Sequence, residues 1–421
     1  MSTTSDDLEI DFRDEADLQA FDPEAAAREL VTYAVSVDAT DVFLTDESTS
    51  VVVRLRRMGQ LETVQRLSHA AGRRLQNHFR AVSGAYVTDQ MKPVEGRELL
   101  ELDDGRMVDV RINALPSIYG YDLALRIFGS NESILSIDQL GIFASEADHM
   151  RQLLDCGSGL VLVSGPTGSG KTHSLYSFLK YLQKADRKIH TIEDPIEHVM
   201  NGIVQSQVNV RGGIDFAQLL AAILRHSPDV IMIGEIRDAR AAEVAVRAAG
   251  SGHLVLASVH ARTAAGAVHS MLSYGVLPHF LASSLVGVVA QRLVRRLCPH
   301  CRQRISMSDC DDFLSDLRPR LPNDMPRNLW LPVGCDRCVD GYDRLVCLPE
   351  IIRVTPSMRD AIQHGSDEQE LARMSHQAGN LSLETAGRLR LATGWTTAEE
   401  LIRVLPEDDH ARASGRLFQE A

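Results

Sequence analysis

Gly165-Pro166-Thr167-Gly168-Ser169-Gly170-Lys171-Thr172 is the stretch whose reading decides the fold. It fits G-x-x-x-x-G-K-[ST], follows the apolar run 160–163, and opens a helical pattern over 173–183. Strand, glycine-rich turn and helix in that order make a phosphate-binding loop. The glycines let backbone N–H groups turn toward phosphate oxygens, and the helix N-terminus favours negative charge. In such a loop Lys171 pairs with the β- and γ-phosphates and Thr172 holds magnesium. A chance match to the four fixed positions occurs in roughly one or two chains of this length in a hundred, and the flanking strand and helix make it rarer. The eight residues are therefore read as a binding site for ATP or GTP.

Working outward, short continuous apolar runs at 160–163, 188–192, 230–233 and 254–259 alternate with helical segments. Buried parallel strands of a doubly wound α/β sheet require that pattern. Ligands of such a sheet bind at the carboxyl ends of its strands, so the polar residues there matter most. Glu193-Asp194-Pro195 with Glu197-His198 follows the second run, Gly234-Glu235-Ile236-Arg237-Asp238 the third, and His260 the fourth. Hydrolysis of a nucleotide needs a carboxylate to orient or deprotonate water, an acidic group in the magnesium shell and a polar sensor near the γ-phosphate. Glu193, Glu235 and His260 are the candidates. Glu193 or Glu235 alone reads more often as a solvated cap or turn residue; three polar strand ends after one phosphate loop read as a site.

The 421 residues predict several domains. Residues 1–22 are acidic and poor in apolar side chains, which predicts a poorly ordered leader. Residues 23–130 mix a helix (23–37) with alternating strands (50–56, 106–113, 122–128), as in a small α+β domain. The phosphate loop lies in a domain over 136–297, a cysteine-bearing insert covers 298–345, and 346–421 reads as a helical region. The apolar run 280–290 is too short to span a bilayer and reads as a core helix. No secretory signal opens the chain. A formal net charge of −13 argues against a broad basic surface for nucleic acid, so no stable nucleic-acid partner is expected. Together these features predict a cytoplasmic chain.

Cys298-Pro299-His300-Cys301 and Cys335-Asp336-Arg337-Cys338 are two C-x-x-C pairs separated by a long loop. Paired knuckles of this kind suit a tetrahedral four-thiolate zinc site with a structural role. A redox pair or disulfide is the competing reading, disfavoured by a cytosolic setting and the missing thioredoxin-like context. Cys156, Cys310 and Cys347 read as ordinary thiols.

With these motifs in order, the chain resembles the secretion and type IV pilus motor ATPases, in their tetracysteine branch. Gly165 to Thr172 matches that family's Walker A, the segment 191–197 its aspartate box, 229–238 its Walker B and 252–260 its histidine box. Asp41-Val42, the stretch 54–59, 111–116 and Ala124-Leu125-Arg126 extend the resemblance over about residues 25–405. It implies a RecA-like P-loop domain with an N-terminal PAS-like module, ATP, Mg2+ and Zn2+ as cofactors, and a homohexamer working against an inner-membrane platform protein from the cytoplasmic face of the inner membrane. It implies Glu193 as general base, Glu235 in water-mediated magnesium binding, and His253 and His260 as phosphate-sensing or structural histidines. Arg111 and Arg126 would act as arginine fingers on a neighbouring subunit's γ-phosphate. The cysteine insert favours assembly over retraction.

The pattern departs from the family at Phe43-Leu44-Thr45-Asp46 and at Ala261-Arg262-Thr263, and only part of the usual glycine-arginine turn is kept after the insert. The extra N-terminal domain of longer members is not expected. A conjugation motor or nucleic-acid translocase could use the same engine, and a regulatory nucleotide-binding protein the same loop.

Overall fold

The computed structural model describes residues 21–84, 92–102, 104–128, 134–183, 187–209, 212–305 and 329–405. The chain divides into two compact units, Met1–Ser133 and Ile134–Ala421. Of the expected leader, residues 1–20 lie outside the described residues. Phe21 is already buried in the first unit's core, and Asp22 caps the first helix by accepting from the Glu24 N–H at 3.0 Å.

The first unit runs α1 (Pro23–Ser36), β1 (Ala39–Asp46), β2 (Val51–Arg57), β3 (Gln60–Leu67), α2 (His69–Val82), β4 (Val94–Glu101), β5 (Met107–Pro116) and β6 (Tyr121–Phe128). Its six strands form one antiparallel sheet in the order β3-β2-β1-β6-β5-β4. Pro23 at the first position starts α1, and Ala26, Ala27, Leu30, Val31 and Ala34 recur at helical spacing to bury one face. Those side chains share a core with Val42, Leu44, Val53, Ile112 and Leu125 from the sheet. The sheet's other face carries Asp41, Arg111 and Arg126, and so alternates as a one-sided sheet must.

The second unit begins α3 (Ala144–Leu154), β7 (Gly159–Ser164), α4 (Lys171–Gln183), β8 (Ile189–Glu193), β9 (Val204–Gln207), α5 (Phe216–Ile223), β10 (Val230–Ile233), α6 (Ala239–Gly250) and β11 (Leu254–Val259). It continues α7 (Ala264–Ser273), α8 (Pro278–Ser284), β12 (Leu285–Leu297), β13 (Gln303–Ile305), β14 (Leu329–Leu331) and β15 (Tyr342–Arg353). The helices α9 (Pro356–Gln363), α10 (Glu368–Gln377), α11 (Leu383–Ala392) and α12 (Ala398–Val404) follow. A seven-stranded sheet in the order β15-β12-β7-β11-β10-β8-β9 forms its middle, parallel throughout except for β15. Alternate residues of β7 feed two cores: Leu160 and Leu162 on one face, Val161 and Val163 on the other. Burial on both faces explains why these strands read as unbroken apolar runs.

Two expectations need correction. The run 280–290 is not one helix: α8 stops at Ser284 and β12 begins at Leu285. Val286, Val288 and Val289 favour extended backbone, and β7 offers a parallel partner that a helix could not use. Residues 346–353 are likewise not helical but belong to β15, which adds to β12 at the sheet edge. Pro349 is tolerated there because an edge strand has one unpaired side.

Candidate active site

The carboxyl ends of β7, β11, β10 and β8 form one rim, because these strands are parallel neighbours in register: Ser164 pairs with Val259, and Ile233 with both Ala257 and Ile192. The rim therefore brings together the loop from Gly165 to Thr172, His260, Glu235 and Glu193.

The loop needs its glycines. Gly165 has φ 152°, and a Cβ there would sit 2.4 Å from Ser169 Oγ and 2.6 Å from the Gln291 carbonyl. Gly168 and Gly170 also have positive φ, at 76° and 82°. Lys171 donates from Nζ to the carbonyls of Gly165 (2.8 Å) and Pro166 (3.1 Å), which folds its ammonium back into the loop. Burial lowers the Lys171 pKa, the Glu235 carboxylate opposes that shift, and the Arg292 charge adds to it. Thr172 stands at the start of α4, half-buried. Glycine turns, a lysine and a hydroxyl at a helix N-terminus are the donor set that a magnesium-bound triphosphate requires.

Glu235 follows β10 through Gly234, whose N–H donates to the Ile192 carbonyl at 2.8 Å. Its side chain is 16% exposed and meets both His260 Nε2 and Arg237 Nε. Arg237 reaches on to Asp194 at 3.4 Å. Asp238 is absorbed by structure, capping α6 through the Ala241 N–H.

Glu193 is placed differently. It is 3% exposed, and its carboxylate accepts from Thr191 Oγ1 (2.6 Å), from Gln205 Nε2 (3.1 Å) and from the Tyr176 hydroxyl. Burial raises the Tyr176 pKa, and the Glu193 charge and hydrogen bond raise it further, so the phenol stays a donor. Sequence reasoning missed Tyr176 and Gln205, since an apolar-looking helix position and a glutamine in a short strand carry no local signal. Glu197 lies on the turn after β8, partly exposed.

The two histidines of the 252–260 segment separate. His260 is at the rim, whereas His253 precedes β11 at its opposite end, about 23 Å away at about 3.3 Å per residue. There His253 Nδ1 lies 3.0 Å from the Ala248 carbonyl, and the residue lines a cavity of 240 Å³ with Arg187, Asp229 and Gly252.

Arg111 and Arg126 belong to the first unit. They are directly paired across β5 and β6, and both guanidinium groups lie over the Phe128 ring, at 4.3 and 5.5 Å. The same register line continues to Arg97 on β4 and to Asp41 on β1.

The four expected metal ligands converge. Antiparallel pairing of Leu297 with Tyr342 carries the Cys298 knuckle beside the one that ends at Cys338. The sulfurs of Cys298, Cys301, Cys335 and Cys338 all lie within 4.8 Å of one another, with individual pairs at 3.5, 3.6 and 3.8 Å. Thiolates about 2.3 Å from a common zinc stand about 3.8 Å apart at tetrahedral angles, so the set fits zinc. Cys347 is buried and its thiol is pushed up to about 12 by desolvation; Cys310 lies outside the described residues.

A phosphate loop between a central parallel strand and a helix, with acidic and histidine strand ends on the same rim, defines a P-loop ATPase. The chain belongs to the type II/IV secretion system protein family, whose model matches residues 17–403. It is 36% identical over 376 residues to a putative type II secretion system protein E of Escherichia coli (strain K12), spanning 89% of this chain and 75% of that one. It is 37% identical over 354 residues to the type IV pilus assembly ATPase PilB of Pseudomonas aeruginosa, covering 84% of this chain and 62% of the relative. Among solved structures its fold is similar to the Legionella pneumophila ATPase DotB, with TM-score 0.68 and 20% identity, covering 90% of this chain and 94% of that one. It is also similar to the pilus retraction motor PilT with bound ADP, with TM-score 0.60 and 23% identity, covering 90% and 96%. Family membership makes the chain an ATP hydrolase that uses magnesium.

Proposed function

We propose that this protein is a motor ATPase that powers type II secretion or the assembly of a type IV pilus or pseudopilus. It works as a homohexamer at the cytoplasmic face of the inner membrane and passes its work to a membrane platform protein. The observation that carries the reading is the shared rim of the phosphate loop, Glu235 and His260, in a chain of this family.

In this proposal the N–H groups of 165–172 and Lys171 hold the phosphates, and Thr172 with Glu235 serves the magnesium shell. Lys171 exchanges the Gly165 and Pro166 carbonyls for phosphate oxygens when ATP binds. His260, tied to Glu235, senses the γ-phosphate. The expected general base, Glu193, already has three protein donors on its carboxylate. Its side chain is also buried, which leaves the attacking water little access, so Glu193 is assigned to positioning. The more open carboxylate Glu197 is left to face the attacking water. Arg111 and Arg126, held side by side, are the pair that a neighbouring subunit's nucleotide would meet. Zinc on the four cysteines ties the ends of β12 and β15 and carries no reaction step.

The test is ATP turnover of the oligomeric chain with the cytoplasmic domain of a platform protein or with single-stranded DNA. Stimulation by the platform domain alone supports the proposal. Many-fold stimulation by DNA at physiological salt, with none by the platform domain, makes it a nucleic-acid translocase instead.

A further inference from the structure

Strand β12 is longer than its neighbour. Its last pair with β7 is Ala290 with Ser164, so the residues after Ala290 run alongside the phosphate loop, which starts where β7 ends. The first of them is Gln291, fully buried. A buried glutamine is uncommon and needs partners for both ends of its amide. Gln291 Nε2 donates to the Ser169 carbonyl at 2.7 Å, and Gln291 Oε1 accepts from the Ser174 hydroxyl at 2.8 Å. One partner is in the loop and the other in the first turns of α4. The loop also packs directly on this residue: a Cβ on Gly165 would stand 2.6 Å from the Gln291 carbonyl, and one on Gly170 would stand 3.3 Å from its Nε2.

A trans peptide points its C=O and its N–H in opposite directions. When Gln291 draws the Ser169 carbonyl toward β12, the N–H of the same peptide, which belongs to Gly170, is turned away from the sheet. Gly170 has no Cβ and φ 82°, so this peptide has little else to fix its plane. The Ser169 carbonyl, which can only accept, fixes Nε2 toward the loop, and the Ser174 hydroxyl, donating to Oε1, holds the other end of the amide. We infer that Gln291 is the positioning residue of the phosphate loop: it holds the Ser169–Gly170 peptide with its N–H available to a phosphate oxygen, and it touches no substrate. The inference rests on reading 165–172 as the ATP site.

The adjacent Arg292 points to the opposite face, as strand alternation requires, and donates to the carbonyls of Arg262 (2.7 Å) and Val404 (3.1 Å). Two consecutive residues of β12 thus hold the phosphate loop on one side and, on the other, the loop after His260 and the end of α12.

The experiment measures the dissociation constant of a fluorescent ATP analogue, KM and kcat for ATP, and the melting midpoint without nucleotide. Wild type is compared with Gln291→Met, Gln291→Glu and Ser174→Ala. Methionine keeps the shape and removes both bonds; glutamate keeps an acceptor for Ser174 but loses the donor to Ser169 and adds negative charge. Losing one buried hydrogen bond of this kind corresponds to about a tenfold change. Q291M should therefore weaken binding and raise KM about tenfold, and Q291E more, with kcat changing less than KM. The Ser174→Ala variant should give a smaller rise in the same direction, and it answers the question alone if both Gln291 variants fail to fold. Binding within about twofold of wild type in every folded variant overturns the inference, as does a lowered melting midpoint with unchanged KM. Failure of the wild-type chain to bind the analogue overturns the nucleotide site itself and is distinguishable from both.

Discussion

The phosphate loop and the four-cysteine knuckle are both attached to β12, one beside Gln291 and the other just past Leu297, yet they are held in shape by different physics. The loop is organised by the protein alone. Three glycines with positive φ, two Lys171 bonds and the Gln291 clamp leave its N–H groups aligned before anything binds. The knuckle brings four sulfurs within 4.8 Å of one another, and between them only a metal can repay the deprotonation of four thiols. A catalytic site must offer its donors to a ligand that comes and goes, so preorganisation belongs there. A structural site can depend on a ligand that stays.

The largest effect should come from the knuckle. Structural zinc is worth about 10–16 kcal/mol in small domains, so Cys335→Ser should abolish stoichiometric zinc in elemental analysis and lower the melting midpoint. If the comparison holds, nucleotide affinity changes little; equal loss of both would mean that the loop leans on the metal after all. Next, Lys171→Ala should cut ATP turnover about a thousandfold, or about 4 kcal/mol of barrier, while its melting midpoint without nucleotide stays close to wild type.

A third effect lies on β12 between the two sites. Arg295 pairs its charge with Glu400 of α12, Nε standing 3.0 Å from the carboxylate, and donates to it from its backbone N–H at 2.8 Å; Arg403 donates to the same carboxylate at 2.7 Å. Burial alone would raise the Glu400 pKa, but the bonds from Arg403 and Arg295 and their charges bring it below the usual carboxylate value. A depressed folded-state pKa contributes stability above the unfolded value, near 4.3, which is lost as pH falls through the folded value. Glu400→Gln should therefore cost about 3 kcal/mol in denaturant melts at pH 7, with the gap to wild type closing below about pH 4. The smallest effect is expected at Glu193. As a positioning residue it should lose less than about tenfold in turnover on Glu193→Gln, where a general base would lose about a hundredfold or more.

Much of this was legible in the sequence, for reasons that differ by residue. The strands at 230–233 and 254–259 are buried on both faces, so their apolar runs end where the strands do, and the glycine pattern of the loop states its own backbone requirement. The cysteine pairs were equally plain because metal geometry dictates ligand spacing. Less legible were β12 and β15, whose identity depends on pairing partners 45 to 66 residues apart rather than on local period. The helix expected over 280–290 failed for that reason. The surroundings of Glu193 and Gln291 were invisible for another: a buried polar residue is defined by its hydrogen-bond partners, and Tyr176, Gln205, Ser169 and Ser174 are brought near only by the fold.

The most direct test of the central claim is phosphate release from ATP by the purified wild-type chain, with and without magnesium, beside Glu235→Gln. The account predicts magnesium-dependent turnover in the wild type and a fall of about a hundredfold or more in the variant. Turnover that ignores magnesium, or that survives the Glu235 substitution intact, would contradict it.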